Sequence, residues 1–570
     1  MFHQCLKYFL LLALFAPAAF AADAPILKNT ERFSPVLGQN GMVVSENDIA
    51  SKVGAEILQK GGNAIDAGVA VGFALAVAYP QAGNLGGGGF MMVHHQGDTI
   101  ALDYRETAPA ALTAEHFLDK NGDVDTQKSQ RSLKASGVPG TVAGLLYALE
   151  HYGTMNRKQV MAPALALAEN GFEVGNHLHN ALKRSKDRLL KSGGAKDVFY
   201  RNGAPLPVGT KLKQPALYAT LKAIADEGAD AFYNGVIARK LVSNNIQNGG
   251  VLSLADLQNY RVIPREPVWG TFQNRRIAAM PPPSSGGIHV VQMLNVLKGY
   301  DLNTFGHNSG AYLHLLAESM RRAYADRSKH LGDPEFYPVP HHWLTSQSYA
   351  SKLRAGIDLQ RATPSEQVNP GKAPAPESRE TTHFSVLDKW GNGVSNTYTL
   401  NFSFGNGHLV PELGFLLNNE LDDFAIRPGV PNAYGLVGGE ANKVAGGKRP
   451  LSSMTPLFMF AGEDLRLAAG SPGGSHIITA VLQTVLNLTA FDFNLASAVS
   501  LPRIHHQWLP DVLFAEQGIS PDTITLLELR GHVVMPTQPI GSVQAAARLA
   551  SGGFAGISDP RRTGMAIGVD

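Results

Sequence analysis

Thr381 opens a run of alternating polar and apolar residues directly after a stretch with almost nothing to bury, and this junction constrains the fold more than any other feature of the sequence. Upstream, residues 362–379 (ATPSEQVNPGKAPAPESR) are rich in Pro, Glu, Ser, Lys and Gln. Such a composition removes little apolar surface from water, so the segment 362–380 is expected to be a flexible linker. From Thr382 polar and apolar residues alternate, Gly391-Asn392-Gly393 offers a turn, and Val394–Leu400 (VSNTYTL) reads as the returning strand of a hairpin. A strand that begins with threonine straight after a flexible linker is what a self-cleaving precursor requires. Scission of the Glu380–Thr381 bond would give Thr381 a free α-amine with an ordinary pKa of about 7.7–8.0, able to take the proton of its own hydroxyl. Before scission the same nitrogen is an amide without basicity.

The 570 residues suffice for two to four average domains or for one intertwined unit of helices and sheets. A net charge of only +2 gives no basis for nucleic-acid or membrane-surface binding, which leaves a compact small-molecule enzyme as the expectation. Residues 1–21 follow the plan of a secretory signal, with Lys7, the apolar run Tyr8–Phe15 and a terminal Ala19-Phe20-Ala21. The apolar run is shorter than the roughly 20 residues that cross a bilayer. Secretion, with the periplasm as compartment and no membrane anchor after signal removal, is therefore expected. The single cysteine, Cys5, falls inside this segment, which removes thiol catalysis and thiolate metal sites from the mature chain.

Along the chain, helices are expected over Asp48–Gln59 and the nearly all-apolar Ala64–Ala78. The tract Gly83–Gly89 completes no phosphate-binding pattern and reads as close backbone packing beside a site. A strand leads into Asp103-Tyr104-Arg105-Glu106, and later helices are expected at His289–Leu297, after the stiff turn Met280–Ile288, and at Ala311–Asp326. Beyond the hairpin the chain turns to short strands, with one long helix at Ile477–Leu488. A helix-rich first part and a strand-rich second part are compatible with stacked antiparallel sheets covered by helices, an α+β architecture. No G-x-S-x-G, H-E-x-x-H or EF-hand pattern occurs. The pairs His94-His95, His341-His342 and His505-His506 look like metal candidates, but strand neighbours point to opposite faces and rarely chelate one ion together.

The segment ETTHFSVLDKWGNGVSNTYTLN, with DYRETAP before it and NNELDDF, KRPLSSM and SPGGS after it, resembles the signature of γ-glutamyltranspeptidases, a family of N-terminal-nucleophile hydrolases. The resemblance implies a four-layer αββα sandwich formed jointly by two autoprocessed subunits, a large one of residues 22–380 and a small catalytic one of 381–570. It implies Thr381 as nucleophile, Thr399 as the second threonine that tunes it, and Gly473 and Gly474 as the backbone of an oxyanion hole. Arg105, Ser452 and Ser453 match the contacts to a substrate carboxylate. Asn401, Glu420 and Asp423 match those to its ammonium, and Tyr434 in PGVPNAYGLVGGE matches an aromatic latch on a lid loop. Glutathione and other γ-glutamyl compounds are the implied donors, with water, amino acids or dipeptides as acceptors, and no cofactor or metal ion is called for. Two alternatives share parts of this pattern: a glutaryl or cephalosporin acylase of the same fold, whose substrate lacks the ammonium, and an inactive envelope binding protein, which would lack the site.

Overall fold

The structure, a computed structural model, describes residues 33–192, 194–368, 381–430, 432–433 and 435–570, so the expected signal segment, Glu380 and Tyr434 lie outside the described residues. Two seven-stranded, wholly antiparallel sheets pack face to face. The first runs in the order Met565–Val569, Gly41–Ser45, Thr382–Asp388, Gly393–Thr399, Gly88–His95, Asp98–Tyr104, Ile263–Arg265. The second runs Val36–Gly38, Phe554–Ser558, Gln544–Arg548, Asp464–Gly470, Leu457–Ala461, Arg275–Ala279, Val268–Phe272. The hairpin begun by Thr382 therefore sits at the middle of its sheet, with neighbours on both sides.

Period-two alternation sorts the hairpin's side chains between two environments. Phe384, Val386, Val394 and Tyr398 face an outer helical layer that includes Asp48–Gln59, Ala64–Ala78 and Thr141–Tyr152. His383, Ser385, Ser395 and Thr397 face the second sheet, where they form a buried polar seam instead of an apolar one. Ser385 Oγ donates to the carbonyl of Gln544 at 3.0 Å, so it accepts from His383 Nε2, which leaves His383 Nδ1 to accept from the Thr397 hydroxyl at 2.8 Å. Burial holds this imidazole down at about 3, so it stays neutral. Helices Gly286–Leu297, Gly310–His330 and His476–Thr489 cover the far side of the second sheet and complete the four layers.

The expected helices at Asp48–Gln59 and Ala64–Ala78 are present with those bounds, capped by Asn47 and Asn63. Two expectations change and a third is qualified. The helix placed at His289–Leu297 starts at Gly286, because Gly286 and Gly287 are needed for contact: a Cβ on them would lie 2.0 Å from Thr455 Oγ1 and 2.3 Å from the Met280 carbonyl. The helix-rich first part and strand-rich second part are present as expected, but the contrast does not divide the sheets, since four strands of the first sheet and three of the second precede Thr381. Neither sheet closes without strands from both sides of that residue. Lastly, the flexible linker does not begin at residue 362. Thr363 N donates to Glu318 Oε1 at 3.0 Å, Ser365 N to Asp511 Oδ2 at 2.8 Å, and Trp508 Nε1 to the carbonyls of Ser365 and Val368 at 2.9 and 3.0 Å. These bonds satisfy the polar backbone of a segment that buries little apolar surface itself.

Candidate active site

The register of the hairpin pairs Thr382 with Tyr398 and Ser385 with Ser395, so extending it by one residue sets Thr381 opposite Thr399. Their Oγ1 atoms lie 3.5 Å apart, and both residues are buried. Thr399 Oγ1 also accepts the N–H of Asn401 at 2.8 Å. This bond is available because the chain turns sharply at the strand end, with Asn401 at φ +71°, a conformation that Asn tolerates better than most side chains. Beneath the turn, a Cβ on Gly87 would come within 2.0 Å of the Thr399 carbonyl, and Asn84 Nδ2 donates to that same oxygen at 3.0 Å. The glycine tract thus serves close backbone approach beside the site.

A small cleft opens at the threonine pair. Its walls bring together Thr381, Thr399, Gly474, Arg105, Asn401, Glu420, Asp423, Ser452 and Ser453. Gly473 is adjacent to the wall, and Tyr434 is the one expected site residue without a described position. Gly473 and Gly474 lie just ahead of the helix His476–Thr489, at φ +132° and +57°. Their carbonyls accept from His476 and Ile477 at 3.1 and 3.2 Å, while their own N–H groups bond to no described residue. Backbone donors at the positive end of a helix suit an oxygen that gains negative charge.

Charge is concentrated on the opposite wall. Arg105 Nη1 is bonded to Glu420 Oε1, its Nη2 donates to Asp423 Oδ2 at 2.6 Å, and its Nε donates to the Pro450 carbonyl at 3.2 Å. Glu106 Oε2 is a further 3.8 Å from Nη1, and among the described residues neither Glu106 oxygen nor Glu420 Oε2 has a hydrogen-bond partner. Burial would lower Arg105, but the three carboxylates outweigh it and hold the guanidinium above its usual range. Burial pushes Glu106 up to about 7 and raises Glu420 and Asp423, with Arg105 opposing each rise. Three buried acids around one guanidinium leave a surplus of negative charge, relieved by a proton or by an added cation. Ser452 and Ser453 stand beyond this cluster on a loop fixed by Ser285, whose N and Oγ both donate to the Ser452 carbonyl at 2.8 Å.

Two residues that matter here escaped the sequence reading. Arg327 also lines the cleft, and Asp422 ties the adjoining loop down by accepting from Ser129 Oγ at 2.8 Å and Ala433 N at 3.1 Å. Arg327 lies one residue past the end expected for its helix, which runs Gly310–His330, and nothing in the local pattern distinguishes it from a solvated helical arginine. Asp422 looks like half of an ordinary solvated Asp-Asp pair. Burial pushes its carboxyl from the ordinary 3.8 up to about 7. Across that interval the native protein holds a proton that the unfolded chain releases, so unfolding free energy falls as pH rises from 3.8 to about 7 and levels off above. Denaturant midpoints measured across this interval are expected to show a shallower slope in Asp422→Asn. The slope does not vanish, because Asp326, pushed up to about 6 by burial, contributes in the same direction.

Two of the histidine pairs are divided between different protein partners. His94 Nδ1 bonds to Thr99 Oγ1 at 2.8 Å while His95 stacks edge-on against Tyr152. His505 bonds to Thr479 and Gln507, whereas His506 faces Arg321 and Asp511. His341 and His342 lie in a helix, not in a strand, with rings 4.0 Å apart. Among the described residues, His314, Glu318 and His532 are spaced for a cation, but the Glu318 oxygens are taken by Arg321, Arg322 and Thr363 and the two imidazoles bond to each other at 2.8 Å.

Comparison with known proteins agrees with the fold. The family profile described as Gamma-glutamyltranspeptidase matches residues 50–569. A glutathione hydrolase proenzyme of Escherichia coli (strain K12) is 47% identical over 551 residues, covering 96% of this chain and 95% of its own. Among solved structures, a cephalosporin acylase from Bacillus halodurans superposes with a TM-score of 0.84 at 26% identity, covering 98% of this chain and 99% of its own. The γ-glutamyltranspeptidase of Helicobacter pylori gives 0.57 at 41% identity, covering 60% of this chain and 97% of the solved one. A profile match over nearly the whole described length, together with a full-length relative at 47% identity, places the chain in the γ-glutamyltranspeptidase family, and it is an enzyme of that family.

Proposed function

We propose that this chain is an exported glutathione hydrolase and γ-glutamyl transferase, made as a precursor that cuts itself between Glu380 and Thr381. The observation that carries the reading is the cross-strand pair of buried threonines at the mouth of a cleft lined by Arg105, Glu420, Asp423, Ser452 and Ser453. In the first step Thr381 Oγ1 adds to the Glu380 carbonyl and the peptide nitrogen leaves, converting amide to ester. The departing nitrogen takes the hydroxyl proton and becomes the free α-amine of the small subunit 381–570; water then opens the ester, which ends the large subunit 22–380 at a carboxylate and restores the Thr381 hydroxyl. The interleaved strands keep both subunits in one sandwich after the cut. The name proenzyme carried by the Escherichia coli relative supports a precursor, as does the Helicobacter pylori chain that spans 60% of this one.

In turnover the freed amine takes the Thr381 hydroxyl proton as Oγ1 adds to the γ-carbonyl of the donor. The oxygen of that carbonyl becomes anionic, and the N–H groups of Gly473 and Gly474 are suited to hold it. Collapse expels the amine portion of the donor, which leaves with the proton from the Thr381 amine, and a γ-glutamyl ester remains on Oγ1. Water releases glutamate, or an amino acid or dipeptide amine takes the acyl group. The α-ammonium of the donor fits the acid surplus at Glu420 and Asp423, joined by Asn401, while its α-carboxylate fits Arg105 and the Ser452–Ser453 hydroxyls. Export by the segment 1–21 belongs to the same proposal. Among the described residues no helix is long and apolar enough to cross a membrane.

The acylase alternative requires a donor without an ammonium, and the buried acid cluster is unsuited to one. Comparing γ-glutamyl-p-nitroanilide with glutaryl-p-nitroanilide decides between them: the proposal expects turnover of the first and little of the second, and the reverse order contradicts it. The glycine pair offers a separate check. Gly473 at φ +132° with a prospective Cβ 3.2 Å from Gly541 Cα leaves no room for a side chain without backbone movement. Gly473→Ala is expected to lower kcat by about 100- to 1000-fold with KM little changed, as for loss of one oxyanion donor.

A further inference from the structure

Among the described residues Arg327 is a buried cation with no acid in ion-pair contact. It is 5% exposed, sits in the last turn of the helix Gly310–His330, and lines the cleft beside Thr381 and Ser453. Its Nε donates to Ser285 Oγ at 3.0 Å and its Nη2 to Ser453 Oγ at 3.2 Å. Among the described residues Nη1 bonds to none, and no carboxylate lies within salt-bridge distance of the guanidinium. Its chain neighbour Asp326 is taken by Gln292 and Tyr349, and Asp423, the acid that acts on it from across the cleft, is committed to Arg105. Burial lowers Arg327 only to about 10, so it remains charged at neutral pH. An unpaired buried charge is costly, and a protein retains one where a ligand supplies the partner.

Resting on the function proposed above, we infer that Arg327 determines specificity for donors bearing an α-carboxylate, which it attracts by its own charge and through the Ser453 hydroxyl that it orients. The count of charges supports this. Arg105 is engaged by Glu420 and Asp423, and Arg327 is a second cation on the wall of the cleft. When a γ-glutamyl donor enters, its ammonium competes with Arg105 for Glu420 and Asp423, and its carboxylate adds a third anion. Arg105 is then shared between those acids and the donor carboxylate, and Arg327 is the remaining cation in the cleft that faces it. Arg105 and Arg327 repel each other across this space, as cations do when held ready for an anion between them. The serine pair is the relay: Arg327 reaches Ser453 directly and reaches the Ser452 carbonyl through Ser285, so both hydroxyl-bearing residues are held by the same guanidinium.

The test compares two chromogenic donors that differ by one group, γ-glutamyl-p-nitroanilide and its decarboxy analogue 4-aminobutyryl-p-nitroanilide, on wild type, Arg327→Gln and Arg327→Lys, with cleavage followed on a gel. Wild type is expected to prefer the carboxylate-bearing donor. Arg327→Gln is expected to raise KM for that donor on the order of 10- to 100-fold while kcat/KM for the decarboxy donor changes less than about threefold. Arg327→Lys keeps the charge without the fork and is expected to retain part of the preference, and it carries the comparison if the Gln variant fails to mature. Equal losses on both donors, or an unchanged preference in both variants, contradict the assignment and leave Arg327 a structural residue. A matured wild type that turns over neither donor contradicts the γ-glutamyl reading itself, and the assignment falls with it.

Discussion

Thr381→Ala is expected to yield one uncut chain with no measurable turnover of γ-glutamyl-p-nitroanilide. A single hydroxyl is asked to perform two displacements, on the Glu380 carbonyl and on the donor carbonyl, and its removal abolishes both. Loss of a nucleophile costs on the order of a millionfold in kcat, and here the general base is lost as well, because the α-amine of residue 381 is never released. The fold itself should persist, since Thr381 precedes its strand and the hairpin is held from both sides by paired strands. Two bands on a denaturing gel from this variant, or residual activity within a hundredfold of wild type, would remove Thr381 from the mechanism.

The second large effect is expected at Arg105. Arg105→Gln leaves Glu420, Asp423 and Glu106 buried with no cation among them, a change of the kind that costs about 3–5 kcal/mol when one partner of a buried pair is lost. Part of that cost is relieved by protonation, so the sign of the pH dependence is diagnostic. With the guanidinium gone, the folded acids titrate above their unfolded values, and the variant is expected to lose further stability as pH rises from about 4 through 7. The same substitution removes a grip on the donor carboxylate, and KM is expected to rise by about two orders of magnitude. Denaturant midpoints at pH 5 and 8 with parallel KM measurements check both. A variant whose midpoint deficit is the same at the two pH values would mean that Arg105 does not neutralise these acids.

What could be read in advance, and what could not, follows from how local each signal is. The hairpin and the helices Asp48–Gln59 and Ala64–Ala78 are specified by alternation, turn residues and caps within short windows, and the structure reproduces them. The facing of Thr381 and Thr399 is also implicit in the sequence, because a tight turn at residues 389–392 determines the register along the whole hairpin. The order of strands is not local. Seven strands laid down before Thr381 are distributed between two sheets, and no window of sequence records that. The anchoring of residues 363–368 was hidden for a related reason: the partners Glu318, Asp511 and Trp508 are far away in the chain, and a low-complexity segment takes its order from them.

At the site, family resemblance located Arg105, Glu420 and Asp423 but not their mutual ion pairing, which depends on two loops meeting across more than three hundred residues. Arg105 and these acids thus pair with one another, and the donor's ammonium and carboxylate are expected to exchange places with these contacts. Arg327 is the converse case. Its residue type and helical position are unremarkable, and only the lack of an ion-paired acid among the described residues marks it out.

The most direct measurement is the amino-terminal sequence of the smaller fragment from purified, active protein, taken together with the intact masses of both pieces. The expected result is a fragment beginning Thr-Thr-His-Phe at Thr381, paired with a larger one ending at Glu380, and activity that appears in step with their formation. Full activity in a single unbroken polypeptide, or a smaller fragment that begins at any other residue, would contradict the proposal that a newly exposed amine activates the threonine to which it belongs.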